Sequence, residues 1–111
     1  MRACVDAHMR RFSDQQIDLI SARARALGDP TRVRILEVLG HGEHSVGAIA
    51  EAVDSLQSTV SKHLQVLHHA RLVERRRSAS AVIYSIADPE TLDWCRYLSA
   101  PRLGSHAGAP R

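Results

Sequence analysis

Apolar residues recur at steps of three and four through most of the chain. Ile17, Ile20, Ala24 and Leu27 mark one side of a segment from about residue 13 to 27, the period of an amphipathic helix. Gly28 ends it. Asp29-Pro30 then supplies an N-cap followed by a proline at the first helical position, opening a second helix that buries Val33, Leu36 and Leu39 or their neighbours and stops at Gly40 and Gly42. Ser45 caps a short third helix with the stripe Val46, Ile49, Ala50 and Val53, and Asp54-Ser55 breaks it. Val60, Leu64 and Leu67 follow at once with the same spacing. Two short helices with so brief a join predict a helix-turn-helix.

Beyond Leu72 the period shortens to two, Val82, Tyr84 and Ile86 alternating with Ile83 and Ser85 as in a strand packed on one face. A hairpin is implied, with a first arm over 72–76, a tip at 77–80 and a second arm over 81–86. Asp88-Pro89-Glu90 repeats the cap-and-proline opening, with Asp88 as the cap, and Leu92, Trp94, Cys95 and Leu98 give a last helix that stops before Pro101. The order α-α-α-α-β-β-α predicts a mainly α fold with a small β-hairpin, a winged helix-turn-helix over 13–100. A flexible arm over 1–12 and a disordered tail over 101–111, rich in Gly, Ala, Ser and Pro, flank it.

Charge changes the picture by its placement. The net charge is only +3, yet between residues 57 and 77 Lys62, Arg71, Arg75, Arg76 and Arg77 stand against Glu74 alone, while the rest of the chain holds ten basic and eleven acidic residues. A patch of one sign attracts phosphate backbones through counterion release. At 111 residues there is room for one core, not for a catalytic domain plus a separate sensor. With no apolar run of membrane-spanning length and no signal-peptide core in residues 1–12, a soluble cytoplasmic protein without a membrane partner is expected. Cys4 and Cys95, the two cysteines, are too distant for a local metal clip and too few for a disulfide framework, leaving them as reactive thiols or as ligands shared with other residues. A Gly-rich phosphate loop, His-Glu-x-x-His and Gly-x-Ser-x-Gly are all missing, which argues against an enzyme and leaves a pure interaction module as the other class.

A helix that enters the major groove of DNA needs short polar side chains near its N-terminal end. Gln57, Ser58, Thr59, Ser61 and Lys62 meet that need, with His63 and Gln65 one turn further. Gln pairs in bidentate fashion with adenine, Ser and Thr reach bases or phosphates, and Lys neutralises a phosphate or contacts guanine. Arg75, Arg76 and Arg77 lie where the hairpin turns, placed to contact a minor groove or the backbone. His68 and His69 fall at the surface or against a phosphate.

These segments resemble the ArsR/SmtB family of bacterial repressors: residues 27–36, Leu-Gly-Asp-Pro-Thr-Arg-Val-Arg-Ile-Leu, its second-helix opening; residues 57–67, Gln-Ser-Thr-Val-Ser-Lys-His-Leu-Gln-Val-Leu, its recognition helix; and residues 70–73 with 82–86 its wing. The resemblance implies a homodimer, paired through the first and last helices, that holds double-stranded operator DNA and releases it when an inducer binds. Where the family has glycine in the central turn this chain has Asp54, and its wing tip, Ser78-Ala79-Ser80, has none. Where some members carry cysteines on the third helix, this chain has Ser45 and Gly47. Cys4 and His8 resemble the N-terminal arm of other members, with His41, Glu43 and His44 beside the place that arm reaches. A set of Cys, His and carboxylate ligands suits zinc. The family's last-helix metal site finds only Asp88 and Glu90, since Pro101 and Gly104 replace later ligands and His106 alone could substitute. Cys4 and Cys95, brought together at a dimer interface, would bind cadmium, arsenite or mercury or form a disulfide; Cys95 read alone is a small core residue. A repressor released by metal, metalloid or thiol modification, and a regulator of the same fold with no sensor, are the two readings carried forward.

Overall fold

The computed structural model describes Met9 and residues 11–101. In chain order these form α1 (Asp14–Ala26), α2 (Pro30–Leu39), β1 (His44–Ser45), α3 (Val46–Val53), α4 (Gln57–His69), β2 (Val73–Ser78), β3 (Ala81–Ile86) and α5 (Thr91–Ser99). This is a winged helix-turn-helix with one short strand added. The expected arm and tail lie almost wholly outside the described residues.

Local chemistry explains the helix ends. Ser13 opens α1 with a capping box, its Oγ accepting from the Gln16 N–H at 3.0 Å while Gln16 Oε1 accepts from the Ser13 N–H at 2.8 Å. Asp29 Oδ2 accepts from the Arg32 N–H at 3.1 Å, with Pro30 at the first position of α2. Ser45 Oγ accepts from the Ala48 N–H at 3.2 Å. Both helices of the central motif end in Schellman turns. After α3 the Asp54 N–H donates to Glu51 and the Ser55 N–H to Ala50; after α4 the Arg71 N–H donates to His68 and the Leu72 N–H to Leu67. Asp54 and Arg71 take φ 56 and 60, the left-handed region that glycine favours.

The sheet runs β1-β3-β2, antiparallel throughout. Its hairpin is tighter than the alternation suggested. Arg77 pairs with Val82 and Ser78 with Ala81, so Arg77 lies in the arm and the tip shrinks to Ala79 and Ser80, with Ala79 at φ 55. β1, through His44 opposite Tyr84 and Ser45 opposite Ile83, is too short to carry a period. Asp88 does not cap α5. Its Oδ1 accepts from the Glu90 N–H at 2.9 Å and its carbonyl from the Thr91 N–H at 2.9 Å, an Asx turn that delays the helix to Thr91.

The core lies under the central motif: Ile35, Leu36 and Leu39 of α2, Ile49 of α3, Val60, Leu64 and Leu67 of α4, and Leu72, Val73 and Tyr84 at the wing's base. Burial of each such aliphatic side chain contributes about 1.5–3 kcal/mol. From α1 only Ala26 is fully enclosed. Ile17 and Ile20, whose period announced the helix, are 46% and 50% exposed, and on α5 Tyr97 and Leu98 are 63% and 69% exposed.

Candidate nucleic-acid interface

Packing divides α4 by face. Val60, Leu64 and Leu67 are fully buried and fix the helix in the core, whereas Ser58, Thr59, Lys62, Gln65 and His69 are exposed. Their spacing of three and four makes a continuous outward ridge. The helix starts without a capping side chain at Leu56, so its first-turn N–H groups lack a side-chain cap next to Ser58 and Thr59, an arrangement suited to an anionic oxygen. Gln57 leans back over α3, where a Cβ added to Gly47 would come within 3.3 Å of its Nε2. Ser61 is half-buried.

His63 stands apart from the ridge. Its Nδ1 accepts from Arg32 Nη1 at 3.3 Å, and its Nε2 lies 3.9 Å from Asp29 Oδ2. Arginine has donors only, so this bond fixes the proton of a neutral ring on Nε2, facing the carboxylate. Arg32 also donates through Nε to the Ala26 carbonyl at 2.8 Å and through Nη2 to the Arg25 carbonyl at 3.0 Å. One guanidinium thus joins the end of α1, the start of α2 and α4. The Arg32 N–H bond holds the Asp29 carboxyl below its ordinary value; partial burial opposes it, and the charge of Arg32, with that of His63 when its ring is protonated, adds to it. A second arginine, Arg23 of α1, donates through Nε to the Ala70 carbonyl at 3.0 Å and lies over the Trp94 ring at 5.3 Å. Sequence reasoning missed both arginines, because contacts between distant segments leave no local pattern.

Arg75, Arg76 and Arg77 are all exposed on β2. Successive strand residues point to opposite faces, and here they differ in partner. Arg76 Nη2 donates to Glu43 Oε2 at 2.7 Å, tying the wing to the loop before β1. Arg75 and Arg77, on the other face, have no side-chain partner among the described residues.

Among the described residues, those expected to sense an inducer, His44 and Cys95, lie on separate elements, β1 and α5. Cys4 and His8 lie outside the described residues, as do Gly104 and His106. His44 is in β1, its Nδ1 2.7 Å from the Gly42 carbonyl oxygen. Cys95 borders a cavity of about 430 Å³ between α2 and α5, shared with Glu37 and His41. Burial pushes its thiol up, with Arg96 partly opposing. Among the described residues no group of three or more His, Cys, Asp or Glu side chains is placed to hold a metal ion. The two positions at which some family members carry cysteine have structural tasks instead: Ser45 caps α3, and Gly47 leaves room for Gln57. No helix among the described residues is long and apolar enough to cross a membrane.

Comparison with known proteins agrees with this geometry. A family model described as a helix-turn-helix domain matches residues 27–76. The HTH-type transcriptional regulator KmtR of Mycobacterium tuberculosis is 40% identical over 73 residues, covering 66% of this chain and 56% of that protein. The transcriptional repressor SmtB homolog of Synechocystis is 38% identical over 71 residues, covering 64% of this chain and 54% of that protein. This chain therefore spans little more than half the length of either relative. The homodimeric winged helix-turn-helix DNA-binding domain of Mb0332 from Mycobacterium bovis, solved as fragment 1–100 by solution NMR, is 31% identical with a TM-score of 0.73, covering 88% of this chain and 96% of that one.

Proposed function

Since the chain belongs to the ArsR/SmtB family of winged helix-turn-helix transcriptional regulators, DNA-binding proteins and not enzymes, we propose that it is a dimeric repressor reading a palindromic operator through α4 and the wing. The ridge Ser58, Thr59, Lys62, Gln65 is the observation that carries this reading: short polar and cationic side chains at the exposed N-terminal end of a helix rigidly seated in the core. Gln57 flanks that ridge, Ser61 lies at its edge, and Arg75 and Arg77 of the wing supply backbone or minor-groove contacts. Arg76 and His63, each bonded to another side chain of the same fold, position the wing and the helix. Dimerisation through α1 and α5 is supported by the apolar surface they leave open at Ile17, Ile20 and Leu98, and Mb0332, a homodimer, has the same fold.

Selection from a random-sequence duplex library, followed by anisotropy titration of the enriched duplex, tests the reading. An inverted repeat with half-sites about one helical turn apart is expected, bound with steep salt dependence. Equal affinity for every sequence at each salt concentration would refute it.

Two readings of the control step differ in outcome. In the first, a metal, a metalloid or thiol modification at Cys4 and His8, completed by His44 or Cys95, releases the operator. In the second the protein has no sensor, which the raised Cys95 thiol and the backbone contact of His44 favour. Zinc, cadmium, arsenite, mercury or an oxidant added to the bound complex separates them. Release abolished by Cys4→Ser with Cys95→Ser supports the first, and release by none of the five supports the second.

A further inference from the structure

Two open grooves run along α4, one on each side of its outward ridge, and both are bordered by Gln65 and His69. The one toward α1 has a volume of about 450 Å³ and is lined by Arg25 and Lys62; the one toward β2 has a volume of about 840 Å³ and is lined by His68, Arg71 and Arg75. Among the described residues, Glu74 is the only carboxylate lining either groove.

The described lysine and arginine side chains differ in whether the fold engages them. Arg23, Arg32, Arg76 and Arg96 each bond to an oxygen within the fold. Of those without such a bond among the described residues, Arg25, Lys62, Arg71 and Arg75 line these grooves, whereas Arg11, Arg34 and Arg77 do not. Arg71 also occupies the left-handed turn position after α4, at φ 60, which glycine would occupy without a side-chain penalty.

A helix with its side chains is about 10–12 Å across and the major groove about 12 Å wide, so a helix inside it has a sugar–phosphate strand along each flank. We infer that the two grooves seat those strands: Arg25 of α1 contacts phosphates on one flank of α4, and Arg71, beside Arg75, contacts them on the other. This rests on the reading of α4 as the major-groove helix. It extends the interface to α1 and to the α4–β2 junction, beyond the reading helix and the wing arginines.

The test is anisotropy titration of the selected duplex and a scrambled one across a range of potassium chloride, with wild type, Arg25→Ala, Arg71→Gly and, as a control bordering neither groove, Arg34→Ala. Glycine suits the backbone at position 71, so Arg71→Gly should unfold at or above the wild-type temperature while binding more weakly. Each groove variant should reduce the slope of log K against log salt by about 1.8, the loss of one phosphate contact in each of the two subunits, on both duplexes alike, whereas Arg34→Ala leaves it unchanged. An unchanged slope in either groove variant removes that flank's seat, and a loss confined to the selected duplex overturns the phosphate assignment. A wild-type protein that binds no duplex would instead overturn the repressor reading, and this inference with it.

Discussion

Asp29 carries two duties in one carboxylate. It caps α2 through the Arg32 N–H and faces His63 of α4. Because its folded pKa lies below the ordinary value of 3.8, the stabilisation it gives is fully present above the unfolded value and is lost as pH falls through the folded one. Asn caps a helix as well as Asp, so Asp29→Asn isolates the charge. Thermal unfolding followed downward from neutral pH should show wild type more stable than Asp29→Asn near neutrality, with the gap closing below about pH 4. A gap that stays constant across that range would contradict the charge assignment. The cap itself was legible, since Asp-Pro before an apolar period has few other meanings. The inward turn of His63 was not: it depends on Arg32, 31 residues away in sequence, and among polar neighbours on one helix no spacing distinguishes a side chain that reads from one that braces.

At the level of elements, positive-φ positions occupied by residues other than glycine show where the chain is strained. The central turn and the wing tip were visible in the sequence as places where glycine was expected, and Asp54 and Ala79 adopt the left-handed conformation there. Ala79→Gly should stabilise the protein by about 0.5–1 kcal/mol, Asp54→Gly by less because Asp tolerates the conformation, as read from the urea midpoint at constant slope. A lower midpoint for Ala79→Gly would show that the tip is not strained. The four helices up to the wing, and the Asp29 and Ser45 caps of α2 and α3, followed from apolar period and capping chemistry, whereas the Ser13 capping box of α1 was not anticipated. β1 did not, because two residues have no period, and the wing's first arm ran two residues further than expected, because Arg77 and Ser78 pair through their backbones and present no apolar side chain to mark the strand. α5 began late because Asp88 folds back on the Glu90 N–H.

For the whole molecule, the apolar period of α1 established a helix but not the direction of its stripe. Ile17 and Ile20 point away from the core that α2, α3 and α4 enclose, and with Leu98 of α5 they leave an apolar face suited to a second copy. Two copies related by a two-fold axis present two α4 ridges, so the operator should carry the same symmetry. The basic stretch was legible as composition. Its division into arginines that brace the fold and cations without a side-chain partner among the described residues required the structure. The central claim, that the α4 ridge reads base edges, is tested most directly by repeating the library selection with Gln65→Ala. The account predicts that one base-pair position, repeated symmetrically in both half-sites, loses its preference at a cost of about 1–3 kcal/mol per contact while the rest of the operator is still recognised. An unaltered preference at every position, with affinity unchanged or reduced equally on all sequences, would contradict it.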